Sequence, residues 1–101
     1  MPRDMNEMWE IVKRIPEGMC ATYGDVARSL ENPVSGYTVG RWMAQAPDGV
    51  PWRRVVAKDG SLVIAKKSPE AAREQRKHLE AEGVAFIDEC VDMESFRFPL
   101  L

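Results

Sequence analysis

TYGDVARSLENPVSGYTVGRWMAQA, residues 22–46, reads as two short helices joined by a tight turn. Thr22 followed three residues later by Asp25 is a capping-box variant, in which the hydroxyl accepts from a backbone amide inside the helix and the acidic side chain reaches back. The helix it opens carries Val26, Ala27 and Leu30 and is broken by Asn32-Pro33. A second starts near Ser35, sets Val39, Met43 and Ala46 on one face, and stops at Pro47-Asp48-Gly49. So short a connection makes the pair a helix-turn-helix candidate.

Upstream, Met5, Met8, Trp9, Val12 and Ile15 follow the spacing of an amphipathic helix that ends before Pro16-Glu17-Gly18. Downstream, Trp52 to Ala57 is rich in strand-forming residues, Lys58-Asp59-Gly60 is a hairpin signal, and Ser61 to Ala65 is expected to return as the second strand. Ser68, Pro69 and Glu70 then open a highly charged helix closed by Gly83. Val84 to Ile87 reads as a further strand, and the tail Phe96, Phe98, Leu100 and Leu101 as an end of the chain docked on the core.

At 101 residues the chain has room for one domain, spanning 1–101. With 45% hydrophobic and 30% charged residues it has the balance of a soluble globular protein and not of a disordered tail. No apolar run approaches the ~20 residues of a membrane span. Met1 to Asn6 lacks the apolar core of a secretory signal, so a cytoplasmic protein without membrane contact is expected. Cys20 and Cys90, without metal-ligand spacing, read as small buried hydrophobes.

The formal charge of −2 argues against a generic nucleic-acid binder, because such binding rests on Lys and Arg neutralising phosphates. The average conceals an asymmetry. Residues 20–67 hold seven basic side chains against four acidic ones, whereas residues 68–101 hold four against eight. One anionic partner for the middle of the chain fits this distribution.

Residues for catalysis are scarce. His78, the single histidine, lies between Lys77 and Leu79 in the charged helix and reads as a solvated residue. No serine or cysteine is visibly paired with it, no glycine-rich phosphate loop is present, and no metal site is suggested. No catalytic residue, metal or cofactor is therefore expected. The unusual segment is Gly49-Val50-Pro51-Trp52-Arg53-Arg54-Val55-Val56, where an indole and two guanidiniums stand at the entrance to a strand.

Taken alone, that segment is a core tryptophan beside surface arginines. Preceded by Thr22-Tyr23-Gly24-Asp25-Val26-Ala27 and by Val39-Gly40, and followed by Leu79-Glu80-Ala81-Glu82-Gly83-Val84, it resembles the DNA-binding domain of the O6-alkylguanine-DNA alkyltransferases. That family carries a Pro-Cys-His-Arg-Val signature whose cysteine takes the alkyl group. Pro51, Arg54 and Val55 match it, Trp52 stands at the cysteine position, and Arg53 replaces the histidine. This replacement marks the alkyltransferase-like proteins, which lack the nucleophile.

The resemblance implies a small winged-helix-like α+β domain with a helix-turn-helix and a short β-hairpin. It also implies that the protein, as a monomer, binds O6-alkylguanine in double-stranded DNA by flipping the base into a pocket, without alkyl transfer, and flags it for nucleotide excision repair proteins. An indole is only a hydrogen-bond donor on a weakly nucleophilic ring, so it offers stacking and packing in place of displacement chemistry. The pocket is assigned to Trp52, Arg54, Tyr23, Pro51 and Val50. Arg54 would either meet the purine or hold the pocket wall. Tyr23 would press on the phosphate beside the lesion, and Thr22, Gly40, Arg53 and Lys58 would contact DNA. The family's intercalating arginine precedes Val-Gly by two residues, where this chain has Tyr37; either Tyr37 is the wedge or Arg41, one turn on, replaces it. The alternative is a helix-turn-helix regulator reading undamaged sequence, for which Trp52 would be packing alone.

Overall fold

The computed structural model describes residues 3–100, with side chains from Met5 onward. Helix α1 spans Arg3–Val12, strand β1 Ala21–Thr22, helix α2 Tyr23–Ser29 and helix α3 Gly36–Met43. A 3₁₀ turn at Trp52–Arg54 leads into β2, Val55–Val56, and a second at Val63–Lys66 precedes α4, Pro69–Ala81. Strands β3, Phe86–Ile87, and β4, Cys90–Val91, and the single turn α5, Met93–Phe96, complete the described chain.

The helix boundaries follow the local chemistry of the sequence. Thr22 Oγ1 accepts from the Asp25 amide at 2.9 Å while the Asp25 carboxylate accepts from the Thr22 amide, completing the capping box of α2. Ser35 Oγ accepts from the Thr38 amide at 3.1 Å and starts α3. Ser68 Oγ does the same for the Ala71 amide, with Pro69 at the first helical position of α4. Met5, Met8, Trp9 and Val12 bury one face of α1, and Ile15 follows them into the core beyond the helix end. Leu30 to Ser35 join α2 and α3, which pack together as the helix-turn-helix.

The hairpin expected over Trp52 to Ala65 is not formed. Trp52 to Arg54 coil into the 3₁₀ turn, and Ser61 to Ala65 run into the second one instead of returning as a strand. The Asp-Gly turn itself does close, with Gly60 N donating to Ala57 O at 2.8 Å and Ala57 N to Ser61 O at 3.0 Å. What redirects the flanking chain is burial. Val55 and Val56 are both fully buried, and successive strand residues face opposite sides. β2 therefore takes a parallel partner from far upstream, with Ala21 opposite Val55 and Thr22 opposite Val56.

This two-residue sheet divides the interior. Ala21 and Val55 belong to a core shared with α1, α2 and α3, whereas Val56, with Cys20, meets Leu79, Val84 and Val91 in a second core under α4. The hairpin of this fold lies elsewhere: Phe86 pairs antiparallel with Val91 and Ile87 with Cys90, so the strand expected over Val84 to Ile87 is confined to its last two residues. Cys20 is fully buried as expected, but Cys90 is only half-buried. In the tail, Cys20 N donates to Phe96 O at 2.8 Å and Phe98 N to Cys20 O at 2.7 Å. Phe96, Phe98 and Leu100 pack on the two cores as expected; Leu101 lies outside the described residues. Among the described residues no helix is long and apolar enough to cross a membrane.

Gly60 joins the Asp-Gly turn to β4. Its φ is +88°, its carbonyl accepts from Val91 N at 2.9 Å, and a Cβ placed there would lie 2.3 Å from Val91 O. Gly49 has a similar φ of +91° but open space around it. Gly60→Ala is expected to lower the free energy of unfolding by more than ~1 kcal/mol and by clearly more than Gly49→Ala, because only the first adds a backbone clash to the conformational strain. Urea unfolding midpoints of the two variants check this.

Candidate functional site

A cleft of about 480 Å³ opens between α3, the two 3₁₀ turns and α4. From α3 come Gly40 and Met43, with Ala44 just past its end; Tyr23 closes one side from the first turn of α2. Trp52 faces them, with Val63 and Ile64 beyond. The walls are thus mainly apolar and aromatic. Lys66 and Lys67, both exposed, and Gln75, buried on the inner face of α4, supply polar groups. Apolar walls with a few placed polar groups are the usual make-up of a small-ligand site. The Arg53 guanidinium lies over the Trp52 ring at 4.8 Å from its centroid, so one indole face is engaged in a cation–π contact. Burial raises the Tyr23 phenol's pKa above its ordinary value, keeping it protonated as a potential donor.

Of the predicted pocket residues, Trp52 and Tyr23 line the cleft, and Gly40 joins them. Arg54 does not. Its Nε and one terminal nitrogen donate to the two carboxylate oxygens of Glu82 at 3.0 and 2.8 Å, and the other terminal nitrogen donates to Ile15 O at 2.9 Å. All three groups of the guanidinium are committed to holding α4 and the end of α1 against the Trp52 turn. Val50 is also withdrawn, 5% exposed in the larger core, and Pro51 is half-buried outside the cleft lining. Val50, Pro51 and Arg54 all stand within two residues of Trp52 in the chain, yet none of the three shares the cleft with it. Val50 and Pro51 precede the 3₁₀ turn, and within it, at about three residues per revolution, Trp52 and Arg54 leave the backbone in different directions.

Thr22 is likewise committed elsewhere: it is buried and its hydroxyl caps α2. Asp25, buried beside it, accepts from Arg28 at 2.8 Å and from two nitrogens of Arg97. Burial alone would raise this carboxyl's pKa, but the hydrogen bonds from Arg97 and Thr22 outweigh it and hold it below the ordinary value. The start of the helix-turn-helix is thereby tied to the C-terminal tail. On α3, Tyr37 is 77% exposed and Arg41, one turn on, is exposed as well. Lys58 is exposed on the Asp-Gly turn and does not line the cleft. His78 is exposed, as expected, 3.6 Å from Glu82.

The sequence reading missed Gln75, Met43, Val63 and Ile64 as parts of the site. Gln75 had a signal: it sits four residues before the buried Leu79 and so on the inner face of an otherwise charged helix. Val63 and Ile64 had none, since they were assigned to a strand that does not form.

Residues 5–84 match the family model of the 6-O-methylguanine DNA methyltransferase DNA-binding domain. The chain belongs to this family. It is 42% identical over 79 residues to the DNA base-flipping protein of Escherichia coli (strain K12), an alignment covering 76% of this chain and 59% of that one. This chain thus spans under two thirds of that relative's length. It is 36% identical over 81 residues to Alkyltransferase-like protein 1 of Schizosaccharomyces pombe, covering 77% and 73% of the two chains. The fold matches the crystal structure of S. pombe Atl1 in complex with damaged DNA containing O6-carboxymethylguanine, with a TM-score of 0.82, 26% identity and coverage of 97% and 96%. Every cleft residue of this family member falls within the matched span, whereas the tail carrying Arg97 falls beyond it.

The Arg54–Glu82 pair makes a prediction separate from DNA binding. Hydrogen bonds from Arg54, reduced by desolvation and aided by the Gly18 amide, hold the Glu82 carboxyl below the ordinary carboxylate pKa. A depressed carboxylate contributes stability above its unfolded pKa, and that contribution is lost as pH falls through the lower folded value. The wild type is expected to lose thermal stability progressively below about pH 4. Arg54→Met, which leaves the Glu82 side chain largely buried without its guanidinium and with only the Gly18 amide and His78 beside it, should cost up to about 3–5 kcal/mol near neutral pH and show a weaker acid dependence. Circular dichroism melts across pH check both.

Proposed function

We propose that this protein binds O6-alkylguanine in duplex DNA by turning the damaged base into the cleft beside Trp52, without removing the alkyl group. The observation that carries the proposal is Trp52 itself, an indole lining the cleft at the position where the alkyltransferase signature has its cysteine. The two thiols of the chain do not replace it. Cys20 is sealed between the second core and the tail, where burial, followed by the nearby Glu82 charge, pushes its pKa up to about 12. Cys90 stands on β4, away from the cleft. Without a thiolate there is no nucleophile for displacement at the alkyl carbon.

The rest of the surface supports a flipping mode. Tyr23 stands at the cleft edge on the first residue of α2, placed to press on backbone phosphate while the nucleotide rotates. Tyr37 is a large aromatic left in water on the helix-turn-helix, and an inserted aromatic can hold the space that an extruded base leaves. We assign it the wedge role, with Arg41 beside it on α3 toward phosphate. Extrusion costs a few kcal/mol and costs least where pairing is already damaged, so part of the selectivity comes from the DNA. Lys58, Lys66, Lys67 and Arg53 supply the phosphate attraction that the net negative chain otherwise lacks. A binder that leaves the alkyl group in place is useful only when another activity removes the lesion, and we assign that step to nucleotide excision repair proteins recruited by a single bound copy.

Titration with an oligonucleotide duplex containing O6-methylguanine and with its undamaged twin tests the reading, and the damaged duplex should bind more tightly. Methyl-labelled DNA incubated with the protein should keep its label; stoichiometric transfer to protein would overturn the proposal. Trp52→Ala should reduce the damaged-over-normal preference by up to ~1–3 kcal/mol, the value of one stacking partner, with non-specific binding nearly intact. Tyr37→Ala should suppress the signal of a fluorescent base analogue that brightens on unstacking. If Arg41→Ala suppresses it and Tyr37→Ala does not, the wedge is Arg41.

A further inference from the structure

Gln75 lies on the inner face of α4, 3% exposed, yet contributes to the cleft. Its Nε2 donates to Arg53 O at 3.0 Å. A carbonyl oxygen only accepts, so this bond fixes which end of the carboxamide faces the backbone. Among the described residues Oε1 has no hydrogen-bond partner, and it is not one of the fully occluded unpaired polar atoms, of which Trp9 Nε1 is the example. Its carbonyl oxygen is therefore the unpaired polar atom of a residue that lines the cleft and is bonded to the backbone beside Trp52. Of the other side chains lining the cleft, Tyr23 carries a hydroxyl and Lys66 and Lys67 carry ammonium donors, whereas Met43, Ala46, Trp52 and Ile64 carry no oxygen acceptor.

We infer that Gln75 is a specificity-determining acceptor that favours lesions whose O6 substituent carries a hydroxyl, the O6-hydroxyalkylguanines, over apolar substituents of equal size. The inference rests on the reading that O6-alkylguanine enters this cleft with its substituent toward Trp52. A small substituent leaves room for water to satisfy Oε1. A longer apolar one displaces that water and leaves the acceptor buried and unpaired, at the cost of desolvating it. A hydroxyl at the same reach donates to Oε1 and recovers the loss. Sites built around a buried polar group discriminate chiefly by penalising the analogue that cannot pair with it.

The test compares duplexes carrying O6-(2-hydroxyethyl)guanine, O6-propylguanine, O6-methylguanine and guanine at one position. Wild type should bind the hydroxyethyl lesion roughly two- to tenfold more tightly than the propyl one, the range for one neutral hydrogen bond. Gln75→Met and Gln75→Leu, which replace the carboxamide by an apolar side chain of similar bulk, should abolish or invert that ratio. A merely structural role for Gln75 would weaken both lesions equally and leave the ratio intact, which overturns the inference. Equal or tighter binding of the propyl lesion by wild type also overturns it, whether or not the variants fold. If wild type fails to distinguish O6-methylguanine from guanine, the proposed function itself fails; if it distinguishes them but the hydroxyethyl-to-propyl ratio is flat, only the role of Gln75 does.

Discussion

The bidentate pair between Arg54 and Glu82 is the contact on which the placement of the site depends. Arg54 follows Trp52 by two residues within one 3₁₀ turn, so anchoring the guanidinium sets the direction in which the indole leaves the backbone. The same guanidinium reaches Ile15 O, and the same carboxylate accepts from Gly18 N at 3.2 Å. One buried ion pair thus joins the end of α1, the entrance to β2 and the last turn of α4. Both partners are largely withdrawn from water, at 18% and 7% side-chain exposure, and desolvation offsets much of their attraction. Its contribution is position more than net stability.

Around that anchor the two-residue parallel sheet acts as a partition. A strand with Val55 on one side and Val56 on the other is shielded only when hydrophobic elements cover both, and the chain supplies them from opposite ends. The helix-turn-helix lies with the first core, α4 with the second, and the cleft opens where α3 and α4 approach each other across Trp52. A second tie, from Asp25 to Arg97, fastens the N-terminus of α2 to the tail. Tyr23, the first residue of that helix, is held at the cleft edge by its capping box from one direction and by the tail from the other.

The chemistry of the site follows from what was exchanged in it. An indole in place of a thiol and an arginine in place of a histidine replace reactivity with contact area and positive charge. Arg53 lies over Trp52 instead of activating a neighbour, and the remaining thiols are buried in the second core or set on the distant hairpin. Gln75 is bonded to Arg53 O, so a carboxamide joins the indole and the guanidinium where the cleft meets α4.

Much of the helical frame was legible in the chain itself because it rests on local chemistry: Thr22 with Asp25, Ser35, and Ser68 with Pro69 each open a helix where they stand, and their bonds reach only three residues. That Trp52 and Tyr23 share one pocket was legible too, from spaced motifs in the right order. The direction of neighbouring side chains was not. Arg54 reads as a pocket residue beside Trp52 until Glu82, twenty-eight residues on, claims it, and Val50 reads as a wall until the core does. The Asp-Gly signal correctly marks a turn, but no local rule shows that Val55 and Val56 must be covered on both faces and therefore pair with Ala21 and Thr22. Capping is a bond between near neighbours, which a sequence displays; burial and ion pairing are satisfied by whichever distant group the whole fold brings close, and only the tertiary structure decides that.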